Sequence, residues 1–194
     1  MKNIVIIQGH PDNTHAHFGH ALAQQYLDGA HEAGHQVQII QVARLDFPWL
    51  KSDEEFEHGD IPPTLKPAQQ AIEQADHLVF IYPLWLGDMP AILKAFLEQV
   101  FRPGFAIGKA DDEQRKGGLL KGKTARIVVT MGMPAFIYRW FYGAHSLKSF
   151  KRNILKFSGI KISGETLIGF MGKTKPHMNQ AWLETLLQLG KKAI

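Results

Sequence analysis

The sequence contains no cysteine, and this absence excludes several kinds of site at once. Without thiols the 194-residue chain can form neither a disulfide framework nor a thiolate-ligated zinc or iron–sulfur centre, and it has no cysteine nucleophile. Histidine is abundant, with ten residues, but no cluster of carboxylates accompanies the histidines. We therefore predict that the protein has no metal-binding residues.

Long apolar runs and a strong charge imbalance are also absent. The apolar run at the start of the chain is too short for a secretory leader. The stretch Leu78–Leu97 is interrupted by Pro83, Gly87 and Pro90, which indicates buried core rather than a membrane span. The net charge is only +4, and scattered lysines do not form a nucleic-acid-binding arm. We therefore expect a cytoplasmic protein with no integral membrane segment and no nucleic-acid partner.

What the sequence does contain is an alternation of strands and helices, in a chain that is 45% hydrophobic. Apolar runs predict five strands, over Asn3–Gln8, Gln36–Val42, His77–Tyr82, Ala125–Thr130 and Ile160–Ile168. Amphipathic periodicity predicts helices from Phe18 to just before Gly34 and over Pro67–Ala75, Ala91–Phe101, Leu147–Phe157 and Asn179–Lys192. Residues 44–66, which contain three prolines, are expected to be irregular, and residues 103–123 to form a loop.

Strands joined by helices require crossover connections, and these favour a parallel sheet that is covered on both faces. We predict that residues 1–194 form a single flavodoxin-like domain, a three-layer α/β sandwich with a five-stranded parallel sheet of order 2-1-3-4-5. In such sheets ligands bind beyond the carboxyl ends of the strands. This rule selects three loops, residues 9–19, 83–90 and 131–145.

The first loop, residues 9–19, has the composition of an anion site. It contains His10, His15 and His17, and it opens a helix, whose N-terminal N–H groups attract anions. A phosphate or pyrophosphate is the expected ligand, with a zinc site or a simple polar cap as alternatives. The chain lacks the motifs Gly-x-x-x-x-Gly-Lys-Ser/Thr and Gly-x-Gly-x-x-Gly, which argues against a nucleoside triphosphatase of that kind and against a Rossmann-type dinucleotide site.

The other two loops are apolar and aromatic. The second loop, residues 83–90, offers an apolar, ring-sized surface between two prolines, which suits a flat conjugated ligand. The third loop, residues 131–145, is crowded with aromatic side chains that belong either to a site or to the core or a dimer interface. The residues by themselves therefore predict a flat, anionic ligand in a cleft of a flavodoxin-like sheet.

At these three loops the chain resembles the NAD(P)H:quinone oxidoreductases of the flavodoxin-like superfamily. That group includes enzymes of the DT-diaphorase type, bacterial modulators of drug activity and ancillary flavoproteins of potassium-efflux systems. The most specific match is the run Pro83-Leu84 … Pro90-Ala91-Ile92-Leu93-Lys94 … Glu98 … Val100-Phe101 … Phe105-Ala106. In addition, Gly9-His10-Pro11 with His17-Phe18 resembles the family's first phosphate loop, and Gly143-x-His145 resembles its catalytic loop.

The resemblance implies a bound flavin, either FAD or FMN, with NAD(P)H as co-substrate. The residues that would contact the flavin's phosphates or adjoining groups are His10, His17, Phe18 and Gly19. Those that would border its ring system are Pro83, Leu84, Trp85, Leu86 and Gly87, and those on its pyrimidine or ribityl side are Thr130, Met131 and Gly132. The catalytic pair would be His145 with either Tyr138 or Tyr142.

The activity that the resemblance implies is two-electron transfer from NAD(P)H through the flavin to a quinone or similar small-molecule acceptor, by a ping-pong mechanism. The family also implies a homodimer, for which Trp49 and the aromatic stretch Phe136–Tyr142 are candidate interface residues. An alternative function is that of a regulatory flavoprotein that docks on a potassium-efflux transporter and has secondary oxidoreductase activity. The sequence does not choose between NADH and NADPH.

Overall fold

The structure is a computed structural model that describes residues 1–109, 117–172 and 176–194. Its strands are β1 (Asn3–Gln8), β2 (Gln36–Gln41), β3 (His77–Pro83), β4 (Thr124–Thr130) and β5 (Lys161–Ile168). They form one parallel sheet in the order β2-β1-β3-β4-β5, which confirms the predicted topology. Each strand begins and ends within one residue of its predicted bounds.

Helices cover both faces of the sheet. They are α1 (Phe18–Glu32), α2 (Asp53–His58), α3 (Lys66–Gln74), α4 (Ala91–Val100), α5 (His145–Ser149) and α6 (Pro176–Lys192). Helix α5 continues into wider helical turns over Phe150–Lys156, and another such turn spans Ile137–Phe141. Helices α1 and α6 pack on one face, and α3, α4 and α5 on the other. No helix in the described part of the chain is long and apolar enough to span a membrane.

Strands β1, β3 and β4 lie in the middle of the sheet and are buried on both faces. In β1, for example, Ile4 and Ile6 pack against α1 and α6, while Val5 and Ile7 join the core on the opposite face. Because successive side chains point to opposite faces, a strand covered on both sides must be apolar throughout. This is why these three strands are nearly continuous apolar runs in the sequence.

Helices α1 and α6 cross so closely that their backbones touch. A Cβ atom on Gly29 would lie 2.0 Å from the carbonyl oxygen of Leu187, and one on Gly190 would lie 2.1 Å from that of Tyr26. Only glycine permits this approach, because any side chain would push the two helices apart. The crossing fixes the position of α1, whose first turn borders the candidate site.

The prediction that residues 44–66 are irregular is wrong for two short segments. Asp53–His58 forms α2, in which the Ser52 hydroxyl accepts a hydrogen bond from the Glu55 N–H at 3.1 Å. Acidic residues fill the first turn of α2 and interact favourably with the helix dipole. Pro63–Leu65 forms a single turn of 3-10 helix before α3. Part of the predicted loop over residues 103–123, namely residues 110–116, lies outside the described residues.

Candidate functional site

A cavity of about 460 Å³, here called the first cavity, opens at the carboxyl edge of the sheet. Ten of the twelve residues predicted to contact a cofactor line it: His10, His17, Phe18, Gly19, Pro83, Leu84, Trp85, Thr130, Met131 and Gly132. Ala16, Met171 and Gly172 complete the lining. The first cavity therefore lies between the three predicted loops and the segment that follows β5.

The pairing of the central strands brings the three loops together. Strands β3 and β4 end side by side, with Pro83 opposite Thr130, and the N–H of Leu84 donates to the Thr130 carbonyl oxygen at 2.7 Å. On the other side of β3, the N–H of Gly9 donates to the Ile81 carbonyl oxygen at 2.8 Å as the chain leaves β1. Loops that are far apart in the sequence thus leave the sheet as immediate neighbours.

Leu86 and Gly87 do not line the first cavity, because they form the tip of a tight turn beside it. The N–H of Trp85 donates to the Asp88 carbonyl oxygen at 2.8 Å, and the N–H of Asp88 donates to that of Trp85 at 3.0 Å. The φ angles of Leu86 and Gly87 are +48° and +81°, a conformation that glycine adopts readily and leucine only at a cost. The Leu86 side chain is fully exposed.

An imidazole pair forms the polar end of the first cavity. The rings of His10 and His17 stack with their centroids 3.8 Å apart, and the His10 ring lies edge-on to Trp85 at 5.9 Å. The N–H of Asp12 donates to Nδ1 of His10 at 3.1 Å, so a neutral His10 carries its proton on Nε2. Burial, together with the nearby His17 and His20, lowers the pKa of His10. At neutral pH His10 is therefore an uncharged hydrogen-bond donor.

Asp12, which sequence reasoning did not single out, organises the rest of the first loop. Its carboxylate accepts hydrogen bonds from Nε2 of His17 at 2.8 Å, the Thr14 hydroxyl at 2.7 Å and Nδ1 of His15 at 2.9 Å. These bonds, that from His17 above all, hold the pKa of Asp12 well below its usual range, so the carboxylate stays ionised. Among the described residues, no group of three or more histidine or acidic side chains is arranged to hold a metal ion.

A buried amide lies beneath the first turn of α1. Gln8 is only 2% exposed, and its Oε1 accepts a hydrogen bond from the N–H of His10 at 3.0 Å. Its Nε2 has no hydrogen-bond partner within the described residues, and a buried donor left in this way costs about 1–3 kcal/mol. Gln8 is not part of the lining of the first cavity, where His10 and the N-terminus of α1 are the donors. Such a set fits an anionic group such as a phosphate.

The three predicted catalytic residues lie outside the lining of the first cavity. Tyr138 is buried, and its hydroxyl is within 2.8 Å of the Ser146 hydroxyl. Tyr142 is half-exposed and packs edge-on against Phe141, while His145 is exposed at the start of α5. No hydrogen bond joins His145 to either tyrosine, all three of which are described residues. Ten of the predicted cofactor residues therefore lie together around the first cavity, whereas the three predicted catalytic residues lie outside its lining.

Sequence reasoning missed three residues that line the first cavity. Ala16 belongs to the first loop, whereas Met171 and Gly172 follow β5. The N–H of Met171 donates to the Met131 carbonyl oxygen at 3.0 Å, which holds this segment against the third loop. The rule that ligands bind at the carboxyl ends of parallel strands applies equally to β5 and would have found these two residues.

Comparison with known proteins places the chain in a family. The family described as "Flavodoxin-like fold" matches residues 2–191. An uncharacterized NAD(P)H oxidoreductase from Haemophilus influenzae is 33% identical over 142 residues, which cover 72% of this chain and 69% of the relative. FMN-dependent NADH:quinone oxidoreductase 3 from Bacillus cereus is 27% identical over 192 residues, which cover 89% of this chain and 82% of the relative.

A solved structure agrees with this placement. The NAD(P)H:quinone oxidoreductase from Methanothermobacter marburgensis superimposes with a TM-score of 0.82 at 23% identity, over 97% of this chain and 95% of that one. At this identity the likeness supports the fold, and the match to the family over residues 2–191 supports membership. The chain belongs to the flavodoxin-like-fold family, with relatives named as NAD(P)H oxidoreductases and NADH:quinone oxidoreductases.

Proposed function

We propose that the protein is a flavin-dependent NAD(P)H dehydrogenase that reduces a quinone or a similar small-molecule acceptor. The observation that carries this proposal is the first cavity, in which ten residues predicted to contact a flavin meet. The names of the relatives support it, because both act on NAD(P)H or NADH and one of them is an FMN-dependent quinone oxidoreductase.

The first cavity offers the two kinds of surface that a flavin requires. Leu84, Trp85 and Met131 line the first cavity and provide apolar surface for a flat ring system. At the other end, the first loop supplies hydrogen-bond donors for the phosphate. A bound flavin would accept a hydride from NAD(P)H and deliver two electrons to the acceptor, with the two substrates using the site in turn.

Within the first loop, we assign the direct contact with the anionic end of the cofactor to His10. Nε2 of His17 is already engaged by the Asp12 carboxylate, whereas the protonated Nε2 of His10 lies on a side chain that lines the cavity. Asp12 has a positioning role, since it holds His17 in the orientation that stacks on His10. Binding through an uncharged imidazole depends on hydrogen bonds and on the N-terminus of α1 rather than on a cationic side chain.

We assign proton transfer, or stabilisation of negative charge on the reduced cofactor, to His145. Imidazole is the side chain that most often acts as a general acid or base in enzymes, and this one is exposed on the third loop. Of its two candidate partners, Tyr138 already shares its hydroxyl with Ser146, whereas Tyr142 lies on the surface. Tyr142 is therefore the better candidate for the tyrosine that acts with His145.

We further propose that the protein is a homodimer. Aromatic side chains are normally buried, but Phe136, Trp140 and Phe141 are 63%, 81% and 81% exposed, and Trp49 is 61% exposed. Exposed apolar patches of this kind mark interaction surfaces, and aromatic residues are enriched in interfaces. Sedimentation or light scattering of the purified chain should show a dimer. A monomer at micromolar concentration would contradict this part of the proposal.

The test of the proposed activity is to release the chromophore from purified protein and identify it by mass. Reduction of a benzoquinone is then followed with NADH and with NADPH in parallel. We expect stoichiometric flavin and turnover with at least one of the two nicotinamides. A colourless preparation that takes up neither FMN nor FAD contradicts the proposal. A flavin-loaded protein that reduces no quinone contradicts the dehydrogenase activity and favours the regulatory alternative.

A further inference from the structure

Residues 117–172 carry charges of almost one sign only. They contain nine lysine or arginine residues and a single acidic residue, Glu165. The whole chain has a net charge of only +4, so the rest of the sequence is acidic on balance. The function proposed above does not explain why one carboxylate lies within so basic a segment.

Glu165 lies on β5 and binds two basic side chains at once. Its Oε1 accepts a hydrogen bond from Nη2 of Arg139 at 2.7 Å, and its Oε2 accepts one from Nζ of Lys151 at 2.5 Å. The side chains of Glu165 and Lys151 are only 23% and 27% exposed. Partly buried charges that form a network are screened less than an isolated pair on the surface. Both oxygens of the carboxylate are therefore engaged, each by a different part of the chain.

The two partners of Glu165 lie on either side of the proposed catalytic residues. Arg139 belongs to the helical turn that directly precedes Tyr142. Lys151 belongs to the helical turns that continue α5, and α5 begins at His145. These turns pack against β5, the strand that carries Glu165. Glu165 thus ties both ends of the segment that carries Tyr142 and His145 to the same strand of the sheet.

The backbone between these two ends makes a strained turn. Gly143 and Ala144 have φ angles of +62° and +47°, and this conformation is unfavourable for alanine. A Cβ atom on Gly143 would lie 2.9 Å from Nε2 of His145, so the imidazole ring lies directly against the turn. Strained backbone persists only where the surrounding structure holds it. A shift of either end of the segment would therefore move the ring of His145.

We propose that Glu165 is a positioning residue for quinone reduction, and that its carboxylate holds Tyr142 and His145 in place through Arg139 and Lys151. The inference rests on the proposed function, because it assumes that His145 takes part in turnover. Small displacements of a reacting group cost much of the rate, so a residue that fixes such a group affects turnover without touching the substrate. Glu165 lies outside the lining of the first cavity, and its loss should therefore leave flavin binding unchanged.

The test measures the steady-state reduction of a benzoquinone by variants of the flavin-loaded full chain. Glu165→Gln keeps the size of the side chain and removes its charge. It should lower kcat about tenfold, with the KM for quinone and the affinity for flavin within about twofold of the wild type. The double variant Arg139→Gln with Lys151→Gln should lower kcat to the same extent. Adding Glu165→Gln to that double variant should cause no further loss, because the partners of the carboxylate are already gone.

The matched control is Glu32→Gln, which removes a different ion pair. Glu32 contacts Lys191 at 2.7 Å, where the end of α1 meets α6 and away from the third loop. This substitution should change neither kcat nor flavin affinity by more than about twofold. Urea unfolding of every variant shows whether a loss of activity merely follows a loss of stability.

The outcomes separate this inference from the function on which it rests. Unchanged kcat in Glu165→Gln, or in the double variant if Glu165→Gln does not fold, overturns the inference and leaves the proposed function intact. A further loss when Glu165→Gln is added to the double variant also overturns it, because Glu165 would then act by another route. Parallel losses of stability and flavin affinity would assign Glu165 to folding alone. Failure of the wild-type chain to bind flavin or to reduce quinone contradicts the proposed function itself.

Discussion

A buried histidine lies at each end of the parallel strands, one at the carboxyl edge of the sheet and one at the amino edge. The two histidines differ in their surroundings. At the carboxyl edge, His10 accepts one hydrogen bond from the Asp12 N–H and lines the first cavity with the rest of its ring. At the amino edge, His77 is fully buried, its Nδ1 lies 2.7 Å from the Thr124 hydroxyl, and its ring stacks with Tyr26 at 6.4 Å. One histidine faces a space for a ligand, whereas the other is enclosed by the protein.

The charged side chains at the amino edge are likewise surrounded by protein and donate hydrogen bonds to it. Arg126 is buried and donates from Nε to the Ile194 carbonyl oxygen at 2.6 Å and from Nη1 to the Thr166 hydroxyl at 2.9 Å. Nζ of Lys2 donates to the Ala193 carbonyl oxygen at 2.9 Å. Substitutions at the amino edge should therefore change stability, and substitutions at the carboxyl edge should change ligand binding or turnover.

The largest effect that we expect concerns the pH dependence contributed by His77. Burial lowers the pKa of His77 from its ordinary 6.5 to about 4. Between these values the unfolded chain binds a proton that the folded chain does not, so stability falls as the pH drops from 6.5 towards 4 and the loss levels off below that. The difference corresponds to about 3 kcal/mol.

His77→Asn should remove this contribution while an amide takes the place of Nδ1 beside Thr124. Urea unfolding of the wild type and the variant at several pH values between 4 and 7 measures the difference. Parallel stability curves for the two proteins over that interval would show that His77 does not titrate as described.

The second prediction concerns His145 at the carboxyl edge. His145→Ala should slow quinone reduction about 100-fold, which corresponds to roughly 2.7 kcal/mol, because a group that transfers a proton or stabilises charge is lost. Flavin content should be unchanged, since His145 lies outside the lining of the first cavity. Stopped-flow measurement separates the oxidation of NAD(P)H from the reduction of quinone. Unchanged rates in both half-reactions would remove His145 from the mechanism.

The third prediction tests the amino edge directly. Arg126→Met removes the donor to the buried Thr166 hydroxyl and one of the two donors to the Ile194 oxygen, the other being the Tyr26 hydroxyl, so it should destabilise the fold by about 2 kcal/mol. Flavin affinity should not change. Arg152→Met, at an exposed site, should cost less than about 0.5 kcal/mol and serves as the control. Weaker flavin binding in folded Arg126→Met would break the contrast between the two edges.

The smallest effect that we expect is that of His10→Ala, the counterpart of the His77 substitution. Loss of the Nε2 donor should weaken flavin binding about tenfold, as expected for one hydrogen bond to a charged group. The free energy of unfolding without flavin should change by less than about 1 kcal/mol, because the side chain borders a cavity. A large loss of stability with normal flavin affinity would show that His10 belongs to the core, as His77 does.

The outline of the fold could be predicted from the sequence because its central strands are nearly continuous apolar runs. β1, β3 and β4 have no polar face that could be confused with a helix pattern, and their predicted bounds agree with the structure within one residue. Helix α2 could not be predicted in this way, since it buries no residue and depends on the Ser52 cap. A helix of six residues leaves almost no periodicity to detect.

The site was predictable to the extent that it follows from the strand ends. His10, Leu84 and Thr130 follow or end three neighbouring strands, so a rule about strand ends brings them together before any contact is known. That Leu86 lies outside the lining of the first cavity could not be predicted, because the direction of its turn depends on a positive φ angle that leucine does not favour. Asp12 was missed because its importance comes from partners that the fold of the loop gathers around it.

The sequence by itself determined the order of strands and helices and the edge of the sheet at which the candidate site lies, because the alternation of apolar runs and amphipathic helices permits few other arrangements. Only the tertiary structure decided which imidazole nitrogen is left for a ligand. This outcome depends on which partner the folded first loop brings to each ring nitrogen of His10 and His17, and local residue patterns carry no information about such contacts.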